Sequence, residues 1–360
     1  MMILGVVNCT AEVTDTFDAD VQQIEDSLSE STAADMEELD AGSVAQLTTG
    51  GVDAQRLLTY LIERIAGESK SPFAALLLMI PALVFCSIAE SYTYSLRYAD
   101  TKEIMGTMVS LFTASVMVSP LTGLITNAAS VVKGAASLMT VYLPVMAGIL
   151  AFSGHAISSG GYYAAVVTVS QLVSRFCAGV LVPVMNLFLA LSVSAGISPS
   201  IRIGTLVQSL EKLFKTAISF SMTLFIAVIG LNGALSGAAD TVANKTAKFG
   251  LSSFIPLIGS SIAEAYGAIQ TGVNVLRSGV GVFVILAVFV SFAPLLLRVT
   301  LWSFAVFVAQ MTAQALSVSS AASVLQSLSS FLSSLRALLV AVMTVFIIAS
   351  AVMMRIGGQS

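Results

Sequence analysis

From Phe73 to the C-terminus the chain is a succession of long apolar runs, interrupted by only 13 basic and six acidic side chains. A run of about 20 such residues crosses hydrocarbon as a helix, because only a helix or a closed barrel satisfies its own backbone donors and acceptors there. Soluble domains carry about 25% charged residues; this chain has 10%, with 56% hydrophobic. The expected fold is therefore all-α, a polytopic helical membrane protein of about eight transmembrane helices with a broken or re-entrant central segment. The spans are predicted at Phe73 to Tyr92, Ile104 to Ile125, Ala135 to Phe152, one or two within Tyr162 to Gly196, Ala217 to Leu235, Val280 to Leu297, Val299 to Leu316 and Leu335 to Met354.

The first 72 residues differ. They hold 14 of the 20 acidic side chains and only Arg56, Arg64 and Lys70 as cations. Residues 10–50 have few large apolar side chains, so they are expected to be largely disordered or loosely helical. A helix is predicted over 52–66, where Leu57, Leu58, Leu61, Ile62 and Ile65 share one stripe; it would lie on the membrane surface, on a partner or on its own bundle. The division is thus an acidic extension at 1–72, a multi-span domain at 73–354 and a short tail at 355–360.

Chemistry is sparse. The single histidine, His155, lies in the loop SGHAISSGG, so no two-histidine metal motif and no Ser-His-Asp set is readable. No phosphate loop occurs, and Gly279-Val-Gly281 lacks the strand–turn–helix setting of a nucleotide site. Cys9, Cys86 and Cys177 are far apart and suggest apolar packing rather than disulfides or metal. No enzyme activity, cofactor or nucleic-acid partner is expected. Arg175 stands inside the apolar stretch 162–196, where a guanidinium is costly; it marks either a turn at the headgroup level or an ion pair or pore-lining group. Small-residue runs such as SGVGVF (278–283) favour close helix packing, in a compact bundle or an oligomer.

Lys and Arg in short loops set orientation. With the acidic head placed outside and 162–196 crossing twice, the inner loops hold seven cations, Arg298 among them, and the outer loops five, Lys133 among them. That favours N-out and C-in. A faint repeat, LVQSL at 206–210 and VLQSL at 324–328, would fit the duplicated architecture of a transporter.

The stretch Lys245 to Gly281 is too polar and glycine-rich for an ordinary span. Lys245 and Lys248 flank Thr246-Ala247, one helical turn apart. Phe254 to Gly259 (FIPLIG) is broken by Pro256, which removes a backbone donor. Ile262 to Leu276 reads as an amphipathic helix of its own, with Glu264 on its polar side. Lys245, Thr246, Lys248, Phe254, Pro256, Gly259, Glu264 and Gly281 are the candidate structural or partner-contact residues, and Arg175 the candidate intramembrane charge.

The run KTAK, then FIPLIG, then VNVLRSGVGVFV resembles the stage III sporulation protein AE family, and the likeness extends through the flanking spans from Phe73 onward. The resemblance implies a mother-cell membrane protein of endospore formers. It would be a permease-like subunit of a secretion-like channel complex to the forespore, needed after engulfment. Its implied partners are other stage III A membrane proteins, a separate ATPase among them, and a forespore-made protein. The acidic head would face the space between the two membranes. The family usually begins with a signal sequence, which implies that one is truncated here, although ILGVV before Cys9 is short for a signal core and has no basic leader. By the residues alone, a stand-alone secondary transporter and a structural scaffold remain open.

Overall fold

Leu, Ala, Val, Met and Ser follow one another here for dozens of residues without a turn-forming cluster, and the helices run on accordingly. The computed structural model describes residues 19–50, 53–95, 99–152, 160–161, 163–164, 166–168, 182–197, 205–223, 225, 227 and 259–355. Among the described residues helix is the dominant structure and no strand occurs. In chain order the helices are α1 (19–26), α2 (Glu30–Glu38), α3 (Val44–Gly50), α4 (Ala54–Ser95), α5 (Ala99–Phe152), α6 (Val182–Ile197), α7 (205–223), α8 (Gly259–Ala315) and α9 (Ser319–Arg355).

Four described helices, α4, α5, α8 and α9, are long and apolar enough to cross a membrane, against the eight expected. The spans predicted at 104–125 and 135–152 are one helix, α5. The linking residues Thr126 to Gly134 contain no proline, and Thr126 Oγ1 donates to the Gly123 carbonyl at 2.9 Å instead of opening a turn. Lys133 is therefore a helical residue rather than a loop cation. The spans at 280–297 and 299–316 likewise merge in α8, because Arg298 pairs with Glu68 on α4 and needs no loop to reach water. Glu264 and the rest of 262–276 belong to the same helix.

Two further segments are more ordered than expected, one read as a loop and one as largely disordered or loosely helical. The serine-rich stretch 317–330 is helical from Ser319, and just past it Ser334 Oγ donates to the Ser330 carbonyl at 3.0 Å, one turn earlier. Residues 19–50 are ordered short helices that bury Ile24 and Met36 completely, which composition alone did not suggest. The helix predicted at 52–66 runs without a break into the first span as α4, through Pro72 and Pro81. Each internal proline removes one hydrogen bond, at about 3 kcal/mol in an unsupported helix interior, so tertiary packing must hold these helices.

The α8–α9 pair forms the centre of the bundle. Val318 N–H bonds the Ala313 carbonyl at 2.9 Å and Ser317 N–H the Gln314 carbonyl at 3.0 Å. Ser317 is left-handed at φ 61°, a Schellman turn closed without glycine. Phe283, Phe292, Phe331 and Phe346 are buried along the seam, and Phe188 of α6 meets Phe331 edge-on with centroids 5.8 Å apart. Gly281 lies directly against Met354.

Contacts between helices fix their relative heights. Glu68 pairs with Arg298, and Ser87 Oγ donates to the Leu316 carbonyl at 3.1 Å, so α4 and α8 run side by side in the same direction. The 18 to 19 residues between those levels rise about 28 Å. Gly106 of α5 touches Ser320 of α9, bringing the start of both helices to the Leu316 level. Between the two levels α4, α5, α8 and α9 carry one charged residue, the exposed Lys70, two positions inside the Glu68 level. On α4 the exposed large apolar residues there are Phe73, Leu77, Leu78, Val84 and Phe85, with Ile88 just past the edge; on α5, Met108, Leu111, Phe112 and Val118, with Ile104 just before it; on α8, Phe304, Phe307 and Met311.

Candidate functional site

The acidic head meets the bundle at the level of Arg298. Ser29 caps α2, accepting from the Thr32 N–H at 3.3 Å, with Glu30 in the first turn facing the helix dipole. After α2 the chain turns through Asp40 at φ 53°, closed by Ala41 N–H to the Met36 carbonyl at 2.9 Å. Ser43 and Gln46 then form a reciprocal capping box at the start of α3, and Glu25 of α1 accepts from the Val44 N–H at 2.8 Å. These local signals fold a segment whose apolar content is low, and they aim one face of α2 at α4 and α8.

That face carries Ser31, Thr32 and Asp35. With Arg64 and Glu68 of α4, Asn127, Ser130 and Val131 of α5, and Val290, Ser291, Pro294, Leu295 and Arg298 of α8, it lines a half-open cleft of mixed polarity, about 360 Å³. Asp35 is buried, accepting from Tyr60 Oη at 2.9 Å and from the Arg64 guanidinium. The same guanidinium lies over the Tyr60 ring, 5.4 Å from its centroid, a cation–π contact that fixes its plane. One turn along α4, Glu68 takes Arg298. Asp40 and Arg56 add an exposed pair at the rim.

A hydroxyl chain crosses the same junction. Ser291 Oγ donates to the Ala287 carbonyl at 2.7 Å, leaving its oxygen to accept from Thr32 Oγ1 at 3.0 Å. Ser29 Oγ, 2.7 Å from Thr32 Oγ1, then donates to it. The α2 end of the head is thus tied to α8 by the hydroxyl relay and to α4 by the Asp35–Arg64 pair, while Glu68–Arg298 joins α4 to α8. Both carboxylates are committed to guanidinium groups, so the cleft is balanced in charge and built to hold segments together. Among the described residues no three His, Cys, Asp or Glu side chains gather in a metal-binding group.

The structure does not bring the residues singled out in the sequence to this cleft. Arg175, Lys245, Thr246, Lys248, Phe254 and Pro256 lie outside the described residues, as does His155. Gly259 opens α8, and Glu264 follows in its second turn. Gly281 is well described: a Cβ there would come within 2.3 Å of Met354 Cγ, so the glycine permits close approach of α8 and α9. Sequence reasoning missed the cleft. The available signals were Arg64 and Glu68 at one-turn spacing in the α4 lead-in and the isolated Arg298 between two apolar runs.

A second polar feature runs along α9. Ser319, Ser323, Gln326 and Arg336 are exposed on one stripe, with Ser330 and Ser333 half-buried on the same line. Lys215 of α7 donates to Ser333 Oγ at 2.9 Å while paired with Glu211 at 2.6 Å.

Comparison with known proteins gives a consistent answer. The family described as stage III sporulation protein AE matches residues 42–357. A stage III sporulation protein AE from Bacillus subtilis (strain 168) is 21% identical over 226 residues, which cover 63% of this chain and 56% of that protein. The aligned part of the chain thus spans little more than half the length of that relative. No solved structure matches.

Proposed function

The chain belongs to the stage III sporulation protein AE family, and from that premise we propose that it is a membrane subunit of a sporulation-specific channel complex between mother cell and forespore. Family membership over most of the chain carries this reading, and four long apolar helices suit a membrane protein. In the proposal the protein resides in the mother-cell membrane around the forespore. It assembles there with other stage III A membrane proteins, a separate ATPase and a forespore-made partner. Lys245, Thr246, Lys248, Phe254, Pro256, Gly259, Glu264 and Gly281 contribute structure or partner contacts, and Arg175 an intramembrane or interfacial charge.

Two features support a subunit of a larger assembly. The polar stripe of α9 is at the same height as the apolar faces of α4, α5 and α8, where a lone protein would expose serines and Gln326 to lipid. A neighbouring subunit or a water-filled path satisfies those groups better. The head is held by a satisfied polar junction, which gives partners a fixed surface rather than a loose tail.

A stand-alone secondary transporter is the second reading. Its one specific support is that Lys215 and Ser333, 118 positions apart, hold equivalent places in the repeat and touch. Heat-resistant spore counts after deleting the gene in the source organism decide between them. The channel reading expects near-complete loss, restored by the wild-type gene, with vegetative growth unchanged. Normal spore counts would remove it.

A further inference from the structure

The candidate span on α8, Ser278–Ala315, has 38 residues. At 1.5 Å per residue it is about 57 Å long, nearly twice the ~30 Å of bilayer hydrocarbon. A tilt of ~40°, the upper end of what helices adopt, still leaves about 44 Å. Its partner α9 is as long and lies along it, so the excess belongs to the bundle and not to one stray helix.

We propose that bilayer hydrocarbon surrounds only one half of the long helices, the tier between the Glu68–Arg298 pair and the Ser87–Leu316 contact, whose one charge, Lys70, sits at its edge within reach of the headgroups. The other half, with the head packed on it, stands in the headgroup and aqueous zone on one side. The tier's height of about 28 Å matches hydrocarbon thickness. Of the large apolar residues exposed on these four helices, 12 lie in the tier, Ile88 and Ile104 flank its edge, and six lie beyond the opposite boundary. Leu77 and Phe85, 77% and 72% exposed, are the extreme cases.

The opposite half has the reverse surface. Phe283, Phe292 and Phe346 turn inward, while Lys133, Glu63 and Glu37 are exposed beside them. Arg298 and Arg336, each 17 residues from its end of the α8–α9 turn, mark the boundary where long cations reach headgroups. Lipid is the occupant because this surface wraps three helices at one height and ends at charges on one side. A second copy needs a local patch instead. The α9 stripe interrupts the belt and is left to protein or water. One consequence is that Ala54 and Arg355 lie on the same side of the bilayer, whereas counting loop cations separates the termini.

The inference rests on membrane residence and not on the identity of the complex. The test uses full-length protein with Cys9, Cys86 and Cys177 replaced, reconstituted in phosphatidylcholine–phosphatidylglycerol vesicles. Single nitroxide labels are placed at Leu77→Cys, Leu111→Cys and Phe307→Cys in the tier, and at Lys133→Cys and Val282→Cys beyond it. The reading is the ratio of collisions with oxygen to collisions with a water-soluble nickel chelate. A ratio several-fold higher at the three tier positions is expected. Equally high ratios at 133 and 282 would overturn the placement, as would protection of 77, 111 and 307 from both reagents, the sign of a second copy over the belt. Release of the protein by alkaline carbonate would instead remove membrane residence itself.

Discussion

Arg298, alone between two apolar runs of α8, donates its Nε–H to Glu68 of α4, two polar residues 230 positions apart that define one level of the bundle. Both are partly buried, so neither is fully solvated when its partner is lost. Arg298→Ala or Glu68→Ala is expected to cost about 1–3 kcal/mol, read as a lower melting midpoint in detergent. The exchange Glu68→Arg with Arg298→Glu should recover part of that loss. Additive losses in the double variant would show that the pair is not coupled.

The head is attached through Asp35. With Tyr60 and Arg64 both committed to this buried carboxylate, Asp35→Ala is expected to strand the guanidinium and loosen α1 to α3. Limited proteolysis should then cut within residues 19–50 while the 259–355 fragment stays intact. Unchanged protection of the head would refute its docking through Asp35.

Gly281 is a close-approach glycine. A Cβ would lie 2.3 Å from Met354 Cγ and 2.4 Å from Sδ, so Gly281→Val is expected to destabilise by about 1–3 kcal/mol through overpacking. Met354→Ala in the same chain should relieve much of it. Thermal midpoints of the three variants decide whether the contact or helix propensity is responsible.

Ser317 holds a left-handed conformation that costs an L-residue roughly 1–2 kcal/mol. Ser317→Gly is therefore expected to raise stability by roughly 0.5–1 kcal/mol after the extra backbone entropy of glycine is set against it. Ser317→Val should lower the melting midpoint. Equal midpoints for both would show that the turn does not limit stability.

Much of the fold was legible because apolar length and low charge leave helices as the main solution, and the apolar stretches of α4, α5, α8 and α9 each coincide with predicted spans. The number of crossings was not. A lone Arg298 or Lys133 reads as a loop cation when partners are unknown, and only the tertiary pairing with Glu68 removes the need for a loop. The packing of the head was not legible for a related reason. Its stability comes from caps such as Ser29 and Ser43 and from Asp35 packing on a distant helix, none of which a composition average registers. The serines of 317–330 were read as a loop because serine favours turns, yet Val318, Ala321, Val324, Leu325 and Leu328 among them are buried at helical spacing, and that packing holds the stretch in α9.

The shared level of the α4 and α9 ends has a topological consequence. A membrane-impermeant maleimide should label Glu37→Cys and a cysteine appended to the C-terminus from the same side of sealed vesicles. Labelling from opposite sides would restore the N-out, C-in arrangement.

The central claim, a subunit of the mother cell–forespore channel, is tested most directly by imaging a C-terminal fluorescent fusion made from its own promoter during starvation. Signal confined to the mother cell and ringing the engulfed forespore is the expected result. Uniform signal in the membranes of growing cells would contradict the account and favour a general transporter.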